Sequence, residues 1–135
     1  MQENPCYDDV VEEVYRFLEE RIAFALSRGI GRDQIMTDAG IGFGKTAEHN
    51  LELLRHLDRF ARLECPHLLA VSRKSVIGTV VGEGRQTGGG SVSAEDRLSG
   101  TLALTAFGAG LGIACARVHD VQENLDAARM AEALK

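Results

Sequence analysis

The chain has 135 residues, 44% of them hydrophobic, which is enough for one ordinary domain with its own core. Its formal net charge of -5 excludes the broad basic surface with which proteins neutralise nucleic acid phosphates, so nucleic acid is not an expected partner. No stretch reaches the roughly 20 apolar residues that a membrane helix needs, so a membrane is not an expected partner either.

The three cysteines, Cys6, Cys65 and Cys115, are far apart, and none has the paired spacing of a structural metal site. An odd number of well-separated cysteines is typical of reduced thiols in the cytosol. Residues 1–5 also lack the basic and apolar regions of a signal peptide. We therefore expect a soluble, cytoplasmic protein without a structural metal.

The first predicted element is a helix over residues 9–28. An Asp9-x-x-Glu12 pattern is typical of a helix N-terminus, because the two side chains can cap backbone N–H groups reciprocally, and Gly29 is a typical helix end. The apolar residues between them recur at helical spacing: Val10, Val11, Val14, Phe17, Leu18, Ala25 and Leu26.

A strand, a loop and a helix are predicted next. The short run 35–37 predicts a strand that ends at Asp38 and a glycine-rich loop, and a helix resumes near Thr46. The order then repeats, with a strand over 68–71, followed by a loop and a short helix. A Gly/Ser-rich stretch over 82–91 is predicted to be mobile. The helix after Thr46 carries one apolar side, formed by Leu53, Leu54, Leu57 and Phe60.

The last part of the chain continues this alternation. A cap pattern at 93–96 opens a second long helix toward Gly110, residues 113–118 supply a third buried strand, and a cap pattern at 120–123 opens a last helix that ends near Leu134. Apolar strands that alternate with helices predict an α/β fold with a parallel sheet covered on both faces. Because the opening helix has no strand before it, the chain looks like a piece of a larger repeat.

Two polar segments follow predicted strands. They are SRKS at 72–75 and RVHD at 117–120, and each opens onto a helical pattern. In α/β proteins, ligands bind at the carboxyl ends of strands, and anions settle there because free N–H groups and the helix dipole favour negative charge. Together with the glycine-rich loop at 38–45, these segments indicate an enzyme site.

The glycine-rich loop also has a second interpretation. Ala39-x-x-x-x-Gly44-Lys45-Thr46 fits a loose form of the nucleotide-phosphate loop, in which backbone N–H groups cradle phosphates and the lysine reaches the outer ones. Asp38 argues against it, because a polyphosphate would lie close to a like charge. A P-loop nucleotide-binding protein remains an alternative at this point.

Four segments occur in an order and spacing that resemble the C-terminal part of dihydropteroate synthase. They are DAGIGFGK at 38–45, SRKSVIG at 72–78, RLSGTLA at 97–103 and RVHDV at 117–121, and the likeness runs from about Tyr7 to the end. The family fold is an eight-stranded (β/α) barrel, which takes ~250 residues. The resemblance therefore implies a partial TIM-type (β/α)8 barrel, with the last three parallel strands and their helices in a single pterin-binding domain fragment over 1–135.

The resemblance also implies an activity. Dihydropteroate synthases are transferases that condense 6-hydroxymethyl-7,8-dihydropterin diphosphate with 4-aminobenzoate, giving 7,8-dihydropteroate and diphosphate in folate biosynthesis, and they are sulfonamide targets. Mg²⁺ is the implied cofactor, with its ligand in the N-terminal part of the family's barrel. A homodimer through the late helices is the implied assembly. We expect the chain to be inactive alone.

The resemblance assigns a role to four charged residues. Asp38 anchors the pterin by accepting from its adjacent N–H groups, and Lys74 and Arg117 complete the pterin contacts. Arg117 and His119 bind diphosphate, and as alternate residues of a strand they share one face. Lys74, Arg117 and His119 are the implied catalytic residues.

The other implied contacts concern 4-aminobenzoate. Phe43 lies beside its ring, and Ser75 holds its carboxylate at the start of a helix. Arg73 is interpreted as support for the loop, without a catalytic step. Two departures from the family pattern, Ala39 where proline is usual and Ala70 where glycine is common, could loosen or crowd the site. A non-catalytic barrel fragment that pairs with another chain stays a further alternative, because three strands leave two open sheet edges.

Overall fold

The computed structural model describes residues 5–83 and 90–135, so most of the Gly/Ser-rich stretch that we predict to be mobile lies outside the described residues. Two short 3-10 turns, Arg32–Gln34 and Glu95–Arg97, precede other elements. The helices are α1 Val10–Ser27, α2 Ala47–Arg55, α3 Leu57–Ala61, α4 Ser75–Glu83, α5 Leu98–Gly110 and α6 Val121–Glu132, and the strands are β1 Leu68–Leu69 and β2 Cys115–Ala116.

The sheet is parallel, as predicted for an α/β fold. Strand β1 pairs with β2 in the register Leu68 opposite Cys115, and on its other side Thr37 forms a parallel bridge with His67. The strand segments therefore run in the order Thr37, β1, β2.

The strand segments are shorter than the sequence predicts. The N–H of Ile35 donates to Arg32 in the preceding 3-10 turn, and the N–H of Ile113 donates to Gly108 at the end of α5. These backbone groups are thus used by the preceding turn or helix. The chain enters the sheet only after them.

Helix α1 begins and ends where predicted, but one capping residue differs. The Asp9 carboxylate accepts from the N–H of Glu12 at 2.9 Å, whereas Glu13 supplies the reciprocal carboxylate to the N–H groups of Asp8 and Asp9. Glu12 instead pairs with Arg16 and Arg59, because α3 brings Arg59 beside it. The predicted Asp9 and Glu12 capping pair is therefore wrong in its second member.

The core includes residues of the short sheet and of the helices that pack on it. Helices α2 and α3 split at His56, yet the predicted apolar side stays continuous and buried, with Leu53, Leu57 and Phe60 fully covered. Burial of such side chains is worth about 1.5–3 kcal/mol each. The packing partners on the sheet include Leu69 and Val71.

The two C-terminal helices do not use the predicted caps. The Ser93 hydroxyl donates to the Asp96 carboxylate at 3.1 Å, and α5 begins only at Leu98, after the 3-10 turn. Helix α6 has Asp120 at its N-cap position, but that side chain makes no capping hydrogen bond, and the helix ends at Glu132. Within the described residues, no helix is long and apolar enough to cross a membrane.

A buried asparagine supports the start of two helices in the same way. Asn50 and Asn124 are each the fourth residue of their helix, α2 and α6, and each is 3% exposed. The Nδ2 of Asn50 donates to the carbonyl of Thr46 at 2.8 Å, and that of Asn124 donates to the carbonyl of Asp120 at 2.7 Å. Both contacts fix the backbone at the junction between loop and helix.

Candidate functional site

The glycine-rich loop folds around its own polar groups. The Asp38 carboxylate accepts from the N–H of Gly40 at 2.7 Å, and the Asn50 side chain accepts from the N–H of Gly42 at 2.7 Å. Gly40, Gly42 and Gly44 have φ of +68°, +83° and +58°, values that favour glycine. The loop conformation therefore requires its glycines.

Lys45 is part of the same loop. Its ammonium donates to the carbonyls of Gly40 at 3.2 Å and Phe43 at 3.1 Å. Partial burial lowers the pKa of Lys45, and Asp38 opposes that shift. This lysine and the loop N–H groups thus stabilise the loop itself, which leaves fewer donors for a nucleotide phosphate.

Lys74 crosses over this loop from the end of β1. Its ammonium donates to the carbonyl of Ile41 and lies 4.4 Å from the centre of the Phe43 ring, which is a cation–π distance. A Cβ on Gly42 would lie 2.9 Å from Cδ of Lys74, so glycine is needed for this close approach. Two predicted site residues, Lys74 and Phe43, are therefore brought together.

Four influences act on the pKa of Lys74, and together they lower it. Partial burial is the largest influence and lowers its pKa, and Arg117 and Lys45 lower it further. Asp38 acts in the opposite direction. Lys74 thus lies in a cluster of cations that includes Arg117, with Asp38 as its carboxylate neighbour.

A depression of about 270 Å³ lies between the ends of β1 and β2. The N–H of His119 donates to the Ser72 hydroxyl at 3.2 Å, and its Nδ1 lies 2.9 Å from the same oxygen. In the described part of the chain, the Arg117 guanidinium has no hydrogen-bonded partner. These features make a cationic depression suited to an anion; it is lined by Ala70, Ser72, Lys74, Arg117, Val118 and His119.

Not all predicted site residues share this depression. Asp38 lines a different depression of about 410 Å³, together with Tyr7, Glu13 and Lys45 among others. Ser75 is the first residue of α4 and is exposed, but it does not line either depression. Lys74, Arg117 and His119 are brought together, Phe43 contacts Lys74, and Asp38 and Ser75 lie outside the shared depression.

Sequence reasoning missed two contacts at the edge of this site. The Ser72 hydroxyl holds His119, and the Arg73 guanidinium forms two hydrogen bonds with the Asp120 carboxylate, at 2.6 and 3.0 Å. The hydrogen bonds from Arg73 lower the pKa of Asp120. The available signal was the presence of an arginine and an aspartate in the two strand-end segments.

The comparisons with known proteins agree on one family. The family model described as "Pterin binding enzyme" matches residues 1–119. The dihydropteroate synthase of Escherichia coli K12 is 41% identical over 133 residues, which cover 98% of this chain and 44% of that protein. The chain thus spans less than half the length of this relative.

Solved structures show the same likeness. Dihydropteroate synthase of Yersinia pestis with a sulfonamide drug superposes with a TM-score of 0.88 at 34% identity, over 98% of this chain and 45% of that one. The enzyme of Xanthomonas albilineans in complex with 7,8-dihydropteroate gives a TM-score of 0.87 at 39% identity, over 99% and 49%. The α/β fold is therefore that of these TIM-barrel-type structures, and the chain belongs to the pterin-binding enzyme family.

Proposed function

We propose that this chain is part of a dihydropteroate synthase. In this function, a transferase joins 6-hydroxymethyl-7,8-dihydropterin diphosphate to 4-aminobenzoate and releases diphosphate. The observation that carries the proposal is the cationic depression, where Lys74, Arg117 and His119 meet at the ends of parallel strands. The similarity to dihydropteroate synthases over 98% of the chain supports it.

In this function the chain is a fragment of a barrel. The Thr37 segment, β1 and β2 are the last three strands of a (β/α)8 barrel, and residues 1–135 form one domain fragment. Their parallel order and the 44% to 49% coverage of the relatives support this arrangement. The chain then contains only part of the site, and since catalytic groups act as a unit, it gives little or no turnover alone.

The reaction requires that the departing diphosphate be stabilised. As the bond between the methylene carbon and the diphosphate oxygen breaks, negative charge develops on the leaving group, and preorganised donors lower the barrier. Arg117 presents five N–H donors in a planar group, and His119 adds a ring N–H. Ser72 orients His119 by its contact with Nδ1, so Nε2 is the nitrogen available to the anion.

The pterin is held by groups of opposite charge. Asp38 accepts from the adjacent ring N–H and amino groups, and its own turn with Gly40 holds the carboxylate in place. Lys74 donates to the pterin carbonyl and ring nitrogen, after exchanging its contact with the Ile41 carbonyl for the ligand. Because Asp38 is close enough to act on the charge of Lys74, one bicyclic ring could contact both side chains.

Phe43 and Ser75 are the proposed contacts to 4-aminobenzoate. Half of the Phe43 side chain is exposed, and its ring can pack against the aminobenzoate ring while Lys74 covers the other side. Ser75 and the first N–H groups of α4 attract the carboxylate. The Yersinia pestis structure with a sulfonamide drug supports sulfonamides as a further ligand class for this family.

Within residues 5–83 and 90–135, no group of three or more His, Cys, Asp or Glu side chains could hold the Mg²⁺ that the family implies. Its ligands would then come from the N-terminal part of the family's barrel.

The nucleotide-phosphate loop is the first alternative. The hydrogen bonds that Lys45 and the loop N–H groups make within the loop weigh against it.

Association with another chain is the second alternative. Exposed residues on β2 favour it, and the apolar groove between α2, α4 and α5 favours a homodimer through the late helices. Light scattering that gives twice the chain mass would support the homodimer, and a compact monomer would contradict it.

Calorimetry tests the proposed function. We expect the chain to bind 6-hydroxymethyl-7,8-dihydropterin diphosphate and to lose at least about tenfold in affinity with Arg117→Ala, because the free guanidinium is removed. Arg55→Ala is the charge-matched control, since among the described residues Arg55 forms its ion pairs with Glu48 and Glu52 on α2. Binding of ATP with Mg²⁺ in place of the pterin would contradict the proposal, and full turnover by the chain alone would contradict the partial site.

A further inference from the structure

Arg73 has an unusual backbone conformation. Its φ is +57°, in the left-handed region where glycine is usual. Its N–H donates to the Thr101 hydroxyl at 3.0 Å, and its carbonyl accepts from the Arg97 guanidinium at 2.9 Å. Such conformations persist where the surroundings fix them, and they cluster at functional sites.

The side chain of Arg73 is fixed as well. Its two hydrogen bonds to Asp120 join segments 47 residues apart, and the two side chains are 30% and 18% exposed. Asp120 occupies the N-cap position of α6 but makes no capping bond, although aspartate is among the best N-cap residues. A stabilising local contact is thus given up for the pair with Arg73.

The pair joins the direct neighbours of two site residues. Arg73 precedes Lys74 and Asp120 follows His119, while the Ser72 hydroxyl accepts from the N–H of His119. We propose that the Arg73 and Asp120 ion pair is a positioning device that sets the distance between Lys74 and the Arg117 and His119 groups. This inference rests on the proposed function, since it orients the pterin and diphosphate contacts of that site.

The proposal explains why an arginine is present at a position that favours glycine. Glycine would adopt the backbone conformation without strain, but it could not hold the end of β2. An arginine reaches across and binds a carboxylate with two parallel hydrogen bonds, which fixes direction as well as distance. Arg73 is therefore a positioning residue and does not touch the ligand.

The first measurement is the affinity for inorganic diphosphate by calorimetry. Arg73→Gly keeps the backbone conformation and removes the pair, Asp120→Asn keeps the shape and removes the charge, and Arg55→Gln is the charge control. We expect about tenfold weaker binding in the first two variants, because displaced donors lose charge-assisted hydrogen bonds to the anion. Because loss of the pair also lowers stability, affinity is measured well below the thermal midpoint of each variant, and the reversed pair Arg73→Asp with Asp120→Arg should recover part of the affinity.

The second measurement is hydrogen exchange of the free chain. The His119 amide should lose at least about tenfold in protection in Arg73→Gly and in Asp120→Asn, while amides of α2 keep theirs. Loss of affinity without loss of protection would make the effect one of charge alone and would overturn the proposal, as would loss of protection with unchanged affinity. If the wild type does not bind diphosphate, the proposed function fails, and unchanged exchange in both variants then also overturns the positioning role.

Discussion

At the residue scale, the site depends on small contacts that let Lys74 reach its place. The Lys74 side chain packs closely against Gly42, and the Asn50 side chain accepts a hydrogen bond from the Gly42 N–H. The ammonium then meets the Ile41 carbonyl and the Phe43 ring. A side chain added at Gly42 would therefore displace Lys74 and lower stability together.

Gly42→Ala should destabilise the protein more than Gly29→Ala. Both glycines have φ of +83°, but a Cβ at Gly29 has nothing within 4 Å, whereas one at Gly42 would meet Lys74. We expect about 1–2 kcal/mol for the backbone conformation in both, and about 1 kcal/mol or more in addition at Gly42. Urea unfolding measures both, and equal losses would contradict the close approach.

The sequence identified some of these residues and not others. The placement of Lys74, Arg117 and His119 together was predictable, because parallel strands bring their carboxyl ends to one edge of a sheet. The Arg73 and Asp120 pair was not, because an aspartate three residues before Glu123 has the local pattern of a cap. A local pattern contains no information about a partner 47 residues away.

At the scale of elements, α5 packs closely against β1 where the helix has a glycine. A Cβ at Gly108 would lie 2.7 Å from Cδ2 of Leu69, so the helix packs against β1 at this point. Strand β1 leads directly into the segment that carries Lys74. Close packing of α5 thus helps to place the site.

Gly108→Ala and Gly110→Ala should have opposite effects. Alanine at Gly108 overpacks the contact with Leu69, which costs about 1–3 kcal/mol. At Gly110 nothing lies within 4 Å, and a better helix former there is neutral or stabilising by up to about 1 kcal/mol. The unfolding free energies of the two variants provide the check, and effects of the same sign would contradict this packing.

The types of element were predictable, but their boundaries were less so. The 3.6-residue period gave α1 and the helix that follows Thr46, since one buried side recurs regularly. The strands are shorter than predicted because the N–H groups of Ile35 and Ile113 donate to the preceding turn or helix. Competition between neighbouring elements for one backbone donor is not visible in a hydrophobic pattern.

For the whole molecule, the Arg73 and Asp120 pair between the two strand ends makes the free energy of unfolding depend on pH in acid. Arg73 holds the pKa of Asp120 below the ordinary value, so the unfolded chain takes up this proton at a higher pH than the folded one. The stabilisation is complete above the ordinary aspartate pKa, about 3.9, and is lost as the pH falls through the lower folded value.

Asp120→Asn should therefore flatten the acid side of the stability profile. Between about pH 5 and pH 3, the thermal midpoint of the wild type should fall more steeply than that of the variant. Asp58→Asn removes a carboxylate from an exposed pair with Arg62 at 3.8 Å and serves as the control, with a profile like that of the wild type. Parallel profiles for wild type and Asp120→Asn would contradict the folded-state shift.

The paired asparagines Asn50 and Asn124 have a consequence for how such a fold can change. Each one ties the first turn of its helix to the carbonyl just before it, and each does so within a single strand-to-helix unit. The start of each helix thus has its own local support. A substitution at one asparagine should loosen its own junction first, and because Lys74 contacts the Ile41 carbonyl and lies beside Arg117, the change then reaches the other strand end through that lysine.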